Sequence, residues 1–418
     1  MTIEFFNVLF IINTILIDIL AVVFFNQGLH MILSFVIPPL KYKDTDINKT
    51  YGFLIAARNE KDNIVNIVES IKAQNYDKDK IKIFVVADNC KDNTAELARN
   101  AGAIVFERFN LQEIGKSYAL EYAFEEIYKD ENNNDIDAFF IFDADNILDK
   151  DYTKEMNKAF VSGKEIITSC RLSKNFSDSW LAGTSSFMFL REDRQIHNNR
   201  SRLNIGTYVS GTGYLISARL IKEFKYWPFH TMTEDIELSA YVASRGIKIA
   251  YCSKAKFYDE QPISLKQFWI QRMRWCKGTH QVFFKECGHL FLGFFKKQPL
   301  SAWGMFVHTI PLPAISFMWF CIYLIMGFVY FLIAKVPFDI YWTECLKQAL
   351  TNFLYPVFIG EIAAIVLVIE CWNMIDAKWY KKILYAILFP FGMMLFLPIT
   401  VCALFKRKIK WKPTNNIK

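Results

Sequence analysis

FFIFDADN, Phe139–Asn146, reads as a strand that ends in charge. Ala138–Phe142 is an unbroken apolar and aromatic run, the pattern of a strand buried on both faces. Asp143 and Asp145 follow, separated only by Ala144. Burying carboxylates is costly unless something positive compensates them, so the pair implies a cationic partner. On an extended chain residues i and i+2 point the same way, roughly 6–7 Å apart at Cα. The spacing therefore predicts that both carboxylates face one ligand. Oxygen-only donors suit a hard cation, Mg2+ or Mn2+, whose shell is completed by phosphate and water. The plainer use of a lone D-x-D is a turn in which one Asp caps the next helix.

Working outward from that strand, residues 50–255 alternate short apolar runs with charged amphipathic segments. Tyr51–Ala57, Ile81–Ala87 and Ala103–Glu107 read as further strands, and 60–73, 92–101 and 115–129 as helices. Strand-helix alternation at this spacing predicts parallel pairing and a doubly wound α/β domain. Ligands of such sheets sit beyond the C-terminal strand ends. Asp88, Asp143, Asp145 and Arg58-Asn59-Glu60 all fall at those ends.

Two nucleotide motifs can be tested and set aside. Gly115-Lys116-Ser117 ends like a phosphate-binding loop, but the first glycine of G-x-x-x-x-G-K-[ST] is Asn110 here, so the tight turn is missing. No G-x-G-x-x-G opens the first helix, which disfavours a dinucleotide enzyme. The nine cysteines form no C-x-x-C pair, and no zinc or disulfide framework is suggested.

The flanks are of another kind. The chain of 418 residues is 53% hydrophobic, because apolar sequence is concentrated at its ends. Phe5–Leu40 contains Asp18 as its only acidic residue, and further apolar runs cover about 303–334, 353–372 and 383–405. Each reaches the ~20 residues that a bilayer core requires, so four spanning segments are expected. Pro311 and Pro313, or Pro390 and Pro398, are candidate breaks within them. The first run is too long for a signal peptide and has no basic leader. The net charge of +7 does not point to nucleic acid. Residues 376–418 hold nine Lys/Arg against one Asp, the basic bias of a cytoplasmic membrane face. No nucleic-acid reading module is recognisable. From 256 to 300 bulky aromatics mix with Lys/Arg, the composition of interfacial helices. Five parts are thus expected: a membrane helix and interfacial extension over 1–40, a cytosolic domain over 41–255, interfacial helices over 256–300, membrane helices over 301–405, and a basic tail over 406–418.

Two more polar clusters carry chemistry. Thr233-Glu234-Asp235 precedes the amphipathic stretch Ile236–Ser244, which puts both acids at a helix N-terminus where the dipole favours them. QRMRW, 271–275, offers Gln271, Arg272, Arg274 and Trp275. Arginine can grip phosphate through its planar fork, and the same composition also suits an interfacial belt.

In this order, ARNE (57–60), VVADNCKDNT (85–94), FDAD (142–145), VSGTG (209–213), TED (233–235) and QRMRW (271–275) resemble the family 2 glycosyltransferases of the processive membrane type. These include cellulose, chitin, hyaluronan and bacterial poly-N-acetylglucosamine synthases. The resemblance implies a GT-A type domain with a Rossmann-like mixed sheet, set between transmembrane and interfacial helices. It implies a UDP-sugar donor, with Asp88 at the uridine, Arg58 and Glu60 nearby, and Lys116 at the nucleotide or diphosphate. Asp143 and Asp145 would hold donor and metal, and Asp235, beside Glu234, would act as general base. Gln271, Arg272, Arg274 and Trp275 would line the diphosphate and acceptor side, and Ser210, Gly211, Thr212 and Gly213 would border the acceptor sugar. Ala87 departs from the family, which often has Asp there. The implied activity is inverting transfer of a hexose to a growing β-linked polysaccharide, coupled to export from a multi-pass protein of the plasma membrane. The alternative is a single transfer to a lipid, making a glycolipid. An accessory membrane subunit is a further partner that the resemblance admits.

Overall fold

The computed structural model describes residues 2–34, 36–335, 337–350 and 355–407. The expected basic tail lies outside them from residue 408 onward, as do residues 353 and 354 of the third apolar run. The first helix is α1 (Thr2–Leu33). An extended connection then leads to a domain of eight strands: β1 (Tyr51–Ala57), β2 (Ile81–Asp88), β3 (Ile104–Arg108), β4 (Ala138–Asp143), β5 (Ile147–Leu148), β6 (Ile166–Ser173), β7 (Tyr214–Ser217) and β8 (Ile249–Asp259). They form one sheet in the order β3-β2-β1-β4-β7-β6-β8-β5. The first four positions pair in parallel, as the alternation predicts, and β7 then runs antiparallel to both β4 and β6. The sheet is therefore mixed.

Side-chain alternation along the strands supplies two cores. Phe53 and Ile55 of β1 face α2 (Ile64–Lys72), whose Ile64, Ile67, Val68 and Ile71 recur at helical spacing. Leu54 faces the opposite side, with Leu120, Phe124 and Ile127. That side is covered by α4 (Lys116–Lys129), which follows the short α3 (Thr94–Asn100). Both faces of β1 and β4 are buried, which is why these strands read as continuous apolar runs. Each fully buried Phe or Leu contributes ~1.5–3 kcal/mol, so the centre of the sheet is the rigid platform. Later helices are α5 (Tyr152–Val161), α6 (Trp180–Arg191), α7 (Asn198–Arg202), α8 (Ala218–Glu223) and α9 (Glu234–Ser244). Between α6 and α7 the chain makes a π-helical turn, Glu192–His197.

The segment expected as interfacial helices from 256 begins differently. Lys256–Asp259 complete β8, and the helix α10 starts at Leu265 and runs to Gly293. Its start is fixed by a capping box between Ser264 and Gln267, a reciprocal pairing that satisfies two backbone donors. Helices α11 (Pro299–Thr309) and α12 (Leu312–Ala334) follow, broken at Ile310-Pro311, then α13 (Phe338–Ala349), α14 (Tyr355–Cys371), α15 (Trp379–Met394) and α16 (Phe396–Phe405). The break expected at Pro311 is present, whereas Pro390 lies inside α15 and the interruption in the last segment is at Leu395, three residues before Pro398.

Among the described residues, two segments are long and apolar enough to cross a membrane, Leu312–Ile333 and Trp379–Phe405. Four were expected from the sequence. Among the described residues, the third apolar run contributes the 17 residues of α14, ~25 Å of helix. One face of it is committed to protein: Ala364, Leu367, Val368 and Cys371 pack with Phe187, Phe189 and Tyr385.

Candidate active site

The C-terminal ends of β1, β2 and β4 open into a cleft of about 1110 Å³, roofed by α10 and by the elbows before α12 and α16. Of the residues singled out in the sequence, Arg58, Glu60, Asp88, Lys116, Asp143, Asp145, Ser210, Gly211, Glu234, Asp235, Gln271, Arg274 and Trp275 line it. Thr212, Gly213 and Arg272 do not. Thr212 is buried behind the wall, where its Oγ1 accepts from the Asp143 N–H at 2.9 Å. Gly213, at φ +67°, leaves the space that the Phe257 ring fills. Arg272 is buried between α10 and α6 behind the lining residue Trp275, stacked on that ring at 3.9 Å and on Phe268 at 4.9 Å, and donates to Ser185 Oγ. Residues 271, 274 and 275 share one helical face by i, i+3, i+4 spacing; Arg272, itself i, i+3 with Trp275, is kept from the cleft by its contact with α6 and not by its place on the helix.

The floor is built at the strand ends. Asp88 forms a buried ion pair with Arg108, Nη1 to Oδ1 at 2.9 Å, and the same oxygen accepts from Asn89 Nδ2 at 2.9 Å. After β4 the chain turns. Strand geometry ends at Asp143, so i, i+2 strand spacing does not set the directions of the two acids, although both line the cleft. Asn146 organises them instead. Its Oδ1 accepts from the Asp143 N–H at 3.3 Å and from the Thr212 hydroxyl. Its Nδ2 donates to Asp145 Oδ1 at 3.1 Å and Asp259 Oδ1 at 3.0 Å.

Lys116 opens α4 directly after Gly115, whose φ of +142° and lack of a side-chain cap leave the first helical N–H groups uncovered. Such a terminus favours anions. The ammonium pairs with Asp143 and donates to the Gly211 carbonyl at 2.7 Å. Burial works to lower its pKa, but Asp143, Glu234 and Asp235 outweigh that and leave it raised. Glu234 and Asp235 begin α9. Burial lifts both carboxyls above their ordinary range, Glu234 further because Asp235 is beside it. The helices meet closely here: a Cβ on Gly278 of α10 would lie 2.7 Å from the Thr233 nitrogen.

Among the described residues no three His, Cys, Asp or Glu side chains are grouped so as to hold a metal. The two-carboxylate arrangement nevertheless fits a hard cation. Burial, then Asp259, Asp143 and Glu60, push the Asp145 carboxyl well above its ordinary range. Crowded anions of this kind are relieved by a cation, and Mg2+ is commonly held by one or two carboxylates with substrate phosphate.

Several lining residues escaped the sequence reading. Arg171 and Asp259, on the paired strands β6 and β8, form a buried ion pair, and Arg171 Nη1 donates to the Ser210 carbonyl at 2.9 Å. Tyr208, Gln261 and Glu192 also line the cleft. No spacing marks them, because the mixed half of the sheet brings them in from separate segments.

The family described as glycosyltransferase like family 2 matches residues 49–278. A poly-beta-1,6-N-acetyl-D-glucosamine synthase of Staphylococcus aureus is 27% identical over 254 residues, 59% of this chain and 59% of the relative. The chain therefore spans 59% of the length of the synthases it matches. A probable glycosyltransferase, YdaM of Bacillus subtilis, is 25% identical over 316 residues, 68% of this chain and 69% of the relative. Among solved structures, the mannosyltransferase PcManGT from Pyrobaculum calidifontis, in complex with GDP-Man and Mn2+, matches with a TM-score of 0.58 at 15% identity. That match covers 88% of this chain and 99% of the other, and the likeness is one of fold.

Proposed function

The chain belongs to the glycosyltransferase-like family 2, with a GT-A type α/β domain, and on that footing we propose that it transfers a hexose from a UDP-sugar to a β-linked polysaccharide at a membrane. The observation that carries this reading is the convergence of Asp88, Lys116, Asp143, Asp145, Asp235 and Arg274 on one cleft whose far end lies among apolar helices. The polysaccharide part is supported by the synthase relatives.

In this reading Asp88 takes the base of the nucleotide through the carboxylate oxygen that Arg108 leaves free. The diphosphate lies at the α4 N-terminus, between Lys116 and Arg274. These cations oppose the negative charge that grows as the sugar–phosphate bond breaks. A divalent cation held by Asp143 and Asp145 would add Lewis-acid stabilisation of the same leaving group. The sugar carbon gains oxocarbenium character, and the acceptor hydroxyl attacks its opposite face. Asp235 takes the hydroxyl proton, and Glu234, with its higher proton affinity, keeps the pair from carrying two full charges. A single displacement inverts the anomeric centre. The catalytic domain, which runs to Asp259 at the end of β8, faces the cytoplasm with the apolar C-terminal helices at the membrane.

A second reading, transfer to a lipid acceptor, is favoured by Ile310, Pro311, Met393, Phe396 and Leu397 at the end of the cleft, which suit an acyl or prenyl chain. Sizing the radiolabelled product decides between them. High-molecular-mass material that a β-specific glycosidase degrades supports the polymer, and an organic-extractable product of one added sugar supports the glycolipid.

A further inference from the structure

The cleft wall beyond Asp145 carries a side chain that neither the motifs nor the proposed mechanism uses. Gln261 follows β8, lines the cleft and is 3% exposed. Asn175 clamps its backbone on both sides, accepting from the Gln261 N–H at 2.9 Å and donating to the Gln261 carbonyl at 2.9 Å. The side-chain Nε2 donates to Asp259 Oδ2 at 2.8 Å. Asp259 is itself fixed by Arg171 Nε at 2.8 Å and Asn146 Nδ2 at 3.0 Å. An ionised carboxylate only accepts hydrogen bonds, so the amide has one permitted orientation, with nitrogen toward Asp259. Its other end, Oε1, is buried and has no hydrogen-bond partner. A buried acceptor left without a donor is costly, and a ligand N–H or O–H would satisfy it.

The topology says which part of a ligand this is. Asp88 ends β2, and Gln261 follows β8, on the other side of β4 in the sheet. A nucleotide-sugar with its base at Asp88 and its diphosphate at the Asp143–Asp145 turn extends its sugar toward β8. We infer that Gln261 reads the donor sugar, its Oε1 accepting from a ring hydroxyl or an N-acetyl N–H. This rests on the sugar-transfer reading given above.

The test uses the full chain in detergent, with Gln261→Leu and the unbranched Gln261→Met, and measures KM for UDP-glucose and UDP-N-acetylglucosamine together with inhibition by UDP. Loss of one neutral hydrogen bond predicts a KM rise of about tenfold for the preferred donor. Inhibition by UDP stays unchanged; the preference between the two donors narrows where the bond is to the N-acetyl N–H, and both KM values rise together where it is to a hydroxyl the two sugars share. Thermal unfolding reports whether each variant is folded. An unchanged donor KM in a folded variant overturns the inference, as does UDP inhibition that weakens in step with KM, or a change confined to the acceptor KM. Those outcomes leave the transfer reading standing. A folded wild-type chain that transfers from no UDP-sugar removes both.

Discussion

Asp145 and Asp259, 114 positions apart in the chain, hold the same amide: Asn146 Nδ2 donates to one at 3.1 Å and to the other at 3.0 Å. The opposite end of that amide accepts from the Asp143 N–H. One side chain therefore fixes the turn that presents both acids of the D-x-D.

Asn146→Ala removes that support while leaving both acids in place. Groups that orient ligands of a metal typically contribute 10–100-fold to affinity or activity. The variant is expected to lose activity by about that factor, with a matching rise in the Mg2+ or Mn2+ concentration needed for half-maximal rate. Metal titration of the two proteins checks this; equal midpoints would remove Asn146 from the site.

How much of this was legible is uneven. Tyr51–Ala57 and Ala138–Phe142 announce themselves because both sheet faces are covered, so their sequence is apolar without interruption. β6, IITSCRLS, does not, although it is buried along nearly all its length. Its Ser, Thr and Arg are satisfied by partners that only the tertiary fold supplies, such as Asp259 for Arg171. The same holds for the site. Asp88, Asp143 and Asp235 stand in ordered motifs, whereas Asp259 and Gln261 sit in the stretch from 256 whose composition reads as interfacial helices and which instead completes β8 and the loop after it. Arg272 is counted with the site in the sequence because the composition of QRMRW does not tell which of its side chains a neighbouring helix, here α6 through Ser185, takes up.

Arg272 supplies a second prediction. It is fully buried, and its Nε and Nη1 lack hydrogen-bond partners. Burial lowers its pKa to about 9. Replacing such a charge with an apolar side chain of similar length is often neutral or stabilising. Arg272→Met should leave donor KM within about twofold and unfold no earlier than wild type, whereas Arg274→Met should lose donor affinity about tenfold or more, as expected for a hydrogen bond to a charged group. Paired KM measurements check the contrast, and equal losses in the two variants would contradict it.

Gly278 tests the contact between α10 and the start of α9. A methyl group there would meet Thr233 and its backbone nitrogen. Overpacking of this kind costs ~1–3 kcal/mol. Gly278→Ala should therefore lower the thermal midpoint and, by shifting Glu234 and Asp235, reduce kcat more than donor KM. A variant with wild-type kcat would show that α9 tolerates displacement.

The pH profile follows from Asp235. Burial lifts its carboxyl to about 6, and a general base acts only when deprotonated. Activity should rise with pH through about 6 and fall about tenfold per unit below it. An acid limb centred near 4, the range of an unperturbed carboxylate, would mean that the base is an exposed group elsewhere.

The most direct measurement is transfer itself. The purified chain in detergent is incubated with Mg2+ or Mn2+ and a panel of radiolabelled UDP-sugars, beside Asp235→Asn, with UDP binding followed by calorimetry. The account predicts incorporation from at least one UDP-sugar, loss of at least ~100-fold in the variant, and UDP affinity that hardly differs between the two. Full transfer by folded Asp235→Asn, or no transfer from any UDP-sugar by folded wild type, would contradict it.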